Sequence, residues 1–282
     1  MKTYLVPVDF SETSINAAKF AAALSHQTDV KEIILLNAYY VSPYETILPN
    51  PDMVLLREEE IEQNAADRIQ RLEKIKKQLQ KLVNPGVKIT THLNRSHLLR
   101  AVVENVIIRK ADVVFMGIQG NSSVNDTHIG SHVIKISKAS PVPVVVVPTN
   151  YHFENIKRVV VACDFNKVTE TVPLEALKRL LNKKPYELLV VNIDKDAKHV
   201  QQDAQQLAEE TALNGMLKEF HPQYFYIYKP DVINGILEFA AEKDAQLVIA
   251  LPHKYSFLQS LLHDSVSQQL AEAAAVPVLL LK

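Results

Sequence analysis

The stretch Leu5-Val6-Pro7-Val8-Asp9-Phe10 is a short apolar run that ends on an acidic residue and an aromatic one. It returns as Val159-Val160-Val161-Ala162-Cys163-Asp164-Phe165, with Asp9 matched to Asp164 at a shift of 155 residues. Leu189-Val190-Val191-Asn192 echoes Leu35-Leu36-Asn37 at the same shift. Near the end of the chain, Val276-Pro277-Val278-Leu279 echoes Val142-Pro143-Val144-Val145, now at a shift of 134. The chain therefore reads as two copies of one unit. The two shifts place a 21-residue excess in the first copy, between its second and third strands. That excess takes in Ser42–Asp52, with Pro43, Pro49 and Pro51, and then a longer helix. It reads as a surface excursion, with a lid or partner surface as the alternative.

Within the first copy, strands are expected at Tyr4–Asp9, Ile33–Tyr40, Val87–Leu93, Val113–Gly117 and Val142–Val147. Helical patterns lie between them, near Ser14–Ser25, Arg57–Leu82, His97–Arg109 and Ser131–Lys138. The strands are rich in valine and isoleucine with little alternation, which suits strands buried on both faces. The alternation of strand and helix predicts an α/β fold: two tandem five-stranded parallel open sheets with helices on both faces. The expected domains are residues 1–149 and 155–282, joined by a short polar link at Thr149–Glu154 that forces them to pack closely.

Composition narrows the function. With 31 Lys+Arg against 32 Asp+Glu, the net charge of -1 gives no drive toward nucleic acid or an acidic membrane. The single cysteine, Cys163, excludes a disulfide framework, and at the end of an apolar strand it reads as a buried structural thiol. The first residues lack the long apolar core of a signal peptide, and no apolar run approaches the about 18 residues of a membrane span. A cytoplasmic protein is expected.

Only six glycines occur, and Gly117, Gly120 and Gly130 fall in one short window. Gly117-Ile118-Gln119-Gly120 follows a strand; nine residues later, Gly130-Ser131 opens a helix. Glycine lets backbone amides approach a ligand, and the free N–H groups of a helix's first turn favour an anion. Ser131 can cap that helix or offer its hydroxyl to a phosphate. The pattern is neither a P-loop nor the dinucleotide fingerprint of a first βα turn.

These residues resemble the universal stress protein family, as a tandem two-domain member. The family's nucleotide motif, Gly-x2-Gly-x9-Gly-(Ser/Thr), is matched by residues 117–131. Its opening Pro-x-Asp-x-Ser is matched by Pro7-Val8-Asp9-Phe10-Ser11, and its closing Pro-Val strand by Pro141–Pro148. The resemblance implies strand order 3-2-1-4-5 and a Rossmann-like, adenine nucleotide alpha hydrolase-like fold. It further implies that Pro7 and Asp9 border an adenine and that a backbone contact falls on Ala38. Ribose and phosphates would meet Gly117, Gln119, Gly120, Gly130, Ser131 and the amides of His132 and Val133. The ligand would be ATP, or ADP or AMP, with Mg2+. Asp9 has a second reading, as a turn residue bonding local amides. Gln119 stands where some members carry a basic residue, and Asp126 adds negative charge to the loop; Lys135 and Lys138 offset this if they face the site.

The second copy departs from the motif. At a shift of 134, Gly117 becomes Leu251, Gly120 becomes Lys254 and Gly130 becomes Asp264, and only Ser265 keeps its type. This copy is expected to bind no nucleotide in the family manner. Asp164, His253, His263 and Asp264 could ligate zinc, though loop histidines are the plainer reading; His128 and His132 carry no firmer signal. The Lys/Glu-rich stretch Arg57–Lys81 reads as a solvated helix face. No Gly-x-Ser-x-Gly or His-Glu-x-x-His motif occurs. The leading reading is a nucleotide-responsive stress or signalling module with an unidentified protein partner. The last strands of the two copies would pair within one chain, and a homodimer is a further option. A nucleotide-free scaffold and a slow ATPase are the alternatives.

Overall fold

The computed structural model describes residues 3–42, 51–118, 129–163, 168, 186–194, 204–250 and 275–280. The first half contributes β1 (Thr3–Pro7), α1 (Glu12–Leu24), β2 (Glu32–Ala38), α2 (Pro51–Leu79), β3 (Lys88–Asn94), α3 (Leu98–Arg109), β4 (Val113–Ile118), α4 (Ile129–Ala139) and β5 (Val144–Pro148). The second contributes β6 (Arg158–Ala162), β7 (Glu187–Asp194), α5 (Ala204–Leu217), β8 (Gln223–Tyr228), α6 (Val232–Glu242), β9 (Leu247–Ala250) and β10 (Val278–Leu280). The two expected sheets are joined into one of ten strands, ordered β3-β2-β1-β4-β5-β10-β9-β6-β7-β8.

Local chemistry sets the element ends. Ser11, in extended conformation, caps α1 by accepting from Ser14 N. Asp231 caps α6 by accepting from Ile233 N and Asn234 N. The helix expected from Arg57 begins at Pro51 instead, because proline's missing N–H costs nothing in a first turn. β1 stops at Pro7, so Asp9 sits in the loop beyond the strand.

Two layers of helix cover the sheet. On one face, α1, α2 and α5 lie over a single core that runs from Tyr4, Val6 and Phe115 through Val145 and Leu279 to Val159 and Val190. On the other face the core is divided. Leu5, Ile34, Val114 and Val144 pack with Val102 and Val106 of α3 and Val133 and Ile136 of α4. Val160, Leu189 and Val248 pack with Ile233, Ile236 and Ala240 of α6.

All neighbouring strands are parallel except at the centre, where β10 and β5 run antiparallel with Val278↔Val146, Leu279↔Val145 and Leu280↔Val144. Val145 and Leu279 are repeat equivalents at the shift of 134. A residue thus pairs with its own counterpart, and a pseudo-two-fold axis passes between them, as in an isologous dimer interface. Both side chains are buried.

The link between the halves is more than the polar join expected from sequence. Tyr151 and Phe153 set their rings edge-on to Phe20 of α1, with centroids 5.9 and 5.4 Å away. Asn16 Nδ2 donates to Pro148 O and Tyr151 O. Buried Gln27 closes both ends of an amide-to-backbone pair, donating to Ile156 O at 3.1 Å and accepting from Ile156 N at 2.8 Å. Gln246 Oε1 accepts from Lys157 N and Arg158 N at the far end of the link. The Gln27→Leu variant strands two buried backbone groups, each costing about 1–3 kcal/mol. Urea unfolding of that variant is expected to show a loss of about 2–6 kcal/mol for the two groups together; a stability equal to wild type would refute the strapping role.

Candidate functional site

Successive residues of β1 turn their backbone groups to opposite neighbours. Val8 N donates to Leu36 O of β2 at 2.7 Å, so position 7 faces β4. Pro7 has no N–H to give there. Pairing of β1 with β4 accordingly runs through Tyr4↔Val113 and Leu5↔Val114 and then stops. In the second half Ala162 stands at the matching position and does have an N–H. There β6 and β9 stay paired from Val159↔Leu247 through Ala162↔Ala250. At the cleft between the carboxyl ends of β1 and β4, the first half's ladder therefore stops two residues earlier than the second half's. This is the point where α1 leaves on one face and α4 on the other, the usual ligand position in an open α/β sheet.

Gly117 lies on β4 at this cleft, paired with Val147. A Cβ added there would stand 2.6 Å from Thr13 C and 2.7 Å from Thr13 Cγ2, and nearer still to Thr13 O. The first motif glycine is thus required by the close approach of α1's first turn to β4. Thr13 Oγ1 lies 2.8 Å from Thr149 Oγ1, and Thr149 Oγ1 donates to Ile118 O, so this contact is tied to the end of β4. Gly130, Ser131 and His132 occupy the first turn of α4, whose leading N–H groups have no partner within the helix. His132 is exposed and Val133 is buried. Gln119 and Gly120 lie outside the described residues, as do Asp126 and His128. Lys135 and Lys138 are exposed on α4.

On the β1 side of the cleft, Asp9 takes up its turn role. Its Oδ1 accepts from Ser11 N at 2.9 Å and from Ser11 Oγ at 2.6 Å. Burial pushes the Asp9 carboxyl up, but the hydrogen bonds from Ser11 and Ser14 outweigh it and hold the group below the usual aspartate value. Asp9 is therefore an anion at neutral pH. Ala38 ends β2, half-buried and paired with Asn94.

Sequence reasoning passed over Asn37, next to Ala38. It is buried, and its Nδ2 donates to Val8 O at 2.6 Å, holding the end of β1 to β2. Asn192 makes the same bond to Cys163 O at 2.8 Å in the second half. The repeat of asparagine at the shift of 155 was the available signal. The solvated helix face read for Arg57–Lys81 has a buried face behind it. α2 buries Ile61, Ala65, Leu72, Ile75 and Leu79, and Arg68 Nη1 donates to Asn37 Oδ1 at 3.1 Å. Half-buried Cys163 packs against the core. Asp164, Leu251, His253, Lys254, His263, Asp264 and Ser265 lie outside the described residues. Among the described residues, no group of three or more His, Cys, Asp or Glu is placed to hold a metal, and no helix is long and apolar enough to cross a membrane.

The model of the universal stress protein family matches residues 1–148 and again 155–282. A universal stress protein of Methanocaldococcus jannaschii is 28% identical over 146 residues, which span 52% of this chain and 81% of that protein. A universal stress protein from Archaeoglobus fulgidus has the same fold, with a TM-score of 0.66 at 19% identity over 99% of this chain and 98% of its own. A protein of unknown function from Pseudomonas aeruginosa PAO1 follows the same course, with a TM-score of 0.58 at 11% identity over 100% of this chain and 92% of its own.

Two outcomes follow from the geometry. Gly117→Ala forces a methyl group into the Thr13 backbone, and overpacking of this kind costs about 1–3 kcal/mol in denaturant unfolding; unchanged stability would refute the close-approach role. Ser11→Ala removes a donor to Asp9, so the Asp9 pKa, followed by NMR titration, is expected to rise. The depressed pKa contributes stability that is present above the unfolded-state value and lost as pH falls through the folded one. The variant's acid side should therefore be flatter than that of wild type.

Proposed function

The chain belongs to the universal stress protein family, and on that footing we propose that its first half binds an adenine nucleotide while its second half does not. The observation that carries this reading is the pair Pro7 and Ala162. Proline ends the β1–β4 ladder at Leu5↔Val114, whereas alanine lets β6–β9 continue to Ala162↔Ala250. The intact Gly-x2-Gly-x9-Gly-Ser spacing of residues 117–131 accompanies the shorter ladder, and the sequence at the matching positions of the longer one reads Leu251, Lys254 and Asp264.

In this reading the adenine lies against Pro7, Asp9 and the backbone of Ala38. The phosphates meet Gly117, Gln119, Gly120 and the first turn of α4 at Gly130, Ser131, His132 and Val133. The unpaired N–H groups of that turn supply the donors, and the helix dipole favours the negative charge. ATP, ADP and AMP all present this chemistry. Mg2+ would be carried on the nucleotide's own phosphates, keeping several waters. The copies at 1–149 and 155–282 act as an intramolecular pseudo-dimer of a cytoplasmic stress or signalling module. Ordering of the Gly120–Gly130 loop by nucleotide would change the surface shown to a protein partner, provided the two loop states differ in affinity.

The test is to purify the full chain and identify and count the nucleotide that comes with it or binds on titration. One adenine nucleotide per chain is expected. Two per chain would overturn the asymmetric reading, and none would favour a nucleotide-free scaffold.

A further inference from the structure

We propose that Arg68 and Arg71 of α2 form an oxyanion clamp for a phosphate group, on the α1–α2 side of the sheet. The Arg68 guanidinium carbon lies 4.4 Å from the centroid of the Tyr39 ring, and that of Arg71 lies 3.9 Å from the centroid of Phe10. Three residues apart on one helix, the two side chains share a face. Each guanidinium carbon stands over a ring that follows the carboxyl end of a strand, Phe10 after β1 and Tyr39 after β2. A guanidinium whose face is covered keeps its N–H edges outward, and it offers five donors in a fixed fork.

The pair is held in place and short of anions. Arg68 is half-buried and gives one bond to Asn37 Oδ1, while Asn37 is itself fixed by its bond to Val8 O. Phe10 stands at φ 71, a left-handed conformation that a bulky side chain rarely adopts, with its ring under Arg71. Among the described residues, Arg57, Arg95, Arg100 and Arg158 each sit on a glutamate. Arg68 and Arg71 join no carboxylate within 4.0 Å among those residues; they rest on aromatic rings. Asp9, the nearest acid in sequence to Phe10, is already engaged by Ser11. Two cations pre-placed without a counter-charge suit a phosphate, whose oxygens match guanidinium forks bidentately.

The clamp is separate from the α4 turn. Leu35 and Val8, neighbours of Asn37 and Phe10, belong to the core beneath α1 and α2, whereas Met116, Ile118 and Val133 belong to the core beneath α3 and α4. The second half keeps the asparagine bond from Asn192 to Cys163 O but not the cations. Its counterpart helix α5 contains Glu209 and Glu210 and no arginine or lysine, and Glu209 Oε2 accepts from Val168 N.

The clamp is tested on the full chain labelled with 15N at arginine, by following Nε–Hε resonances during titration with inorganic phosphate at constant ionic strength. Two resonances are expected to shift saturably, one of them missing in Arg71→Gln. That variant is expected to weaken phosphate about 10-fold, the scale of one charge-assisted hydrogen bond. Arg68→Lys keeps the charge but not the fork and should weaken phosphate similarly. Parallel titrations with AMP and with adenosine separate the sources. A shift from phosphate alone assigns the clamp to free phosphate or a small phosphomonoester. A shift from AMP, with none from phosphate or adenosine, assigns it to a nucleotide's phosphate. The proposal is overturned if neither phosphate nor AMP moves these resonances, if sodium chloride moves them equally, or if Arg71→Gln binds as wild type. Because the readout is local to these arginines, absence of nucleotide from the α4 turn leaves it unaffected.

Discussion

The architecture hangs on the antiparallel pairing of β5 with β10. Five parallel strands with helices on both faces would leave the outer side of each last strand unpaired, a row of open backbone groups that invites aggregation. Here each copy satisfies the other's edge. The pairing centres on Val145 and Leu279, which occupy the same place in the repeat. The core beneath α1, α2 and α5 then runs without a break across the joint. The link at residues 149–157 reinforces the same junction by ring packing on Phe20 and by the two bonds of Gln27.

Within that frame, one difference between the halves is a single hydrogen-bond donor. The halves share their topology, their antiparallel seam and the asparagine that ties the second strand to the end of the first. They differ where β1 carries Pro7 and β6 carries Ala162. A proline in a central parallel strand is unusual because it removes a ladder bond. At the strand's last residue that loss is local, and its effect is a ladder to β4 that ends two residues sooner than its counterpart.

Much of this was legible in the sequence. The strand runs Leu5–Val8 and Val159–Ala162, the shifts of 155 and 134 and the Val-Pro strands gave the class and the repeat, while the strand order came only with the family resemblance. Strand ends were less legible. Val8 and Tyr39 continue the apolar or aromatic pattern of their runs, yet both lie past the last strand residue, because side-chain character does not record where backbone pairing stops. At the site, the glycine motif was visible, but its first member had a hidden partner. Only the fold brings Thr13 against Gly117. Arg68 and Arg71 were lost in a run of charged residues, since one-dimensional charge density cannot show which side chains turn back over a ring. Pro7 was seen, but its missing donor mattered only once the direction of each backbone group was known.

The self-paired seam has a consequence for inheritance. In an assembly of two identical subunits, every substitution is written into both sites at once, and neither can change without the other. Here the same symmetric contact is made between two stretches of a single chain. Position 7 and position 162 are encoded separately, so a proline can be kept in one and an alanine in the other. Fusion preserves the shape of a dimer while releasing its halves from having to evolve in step.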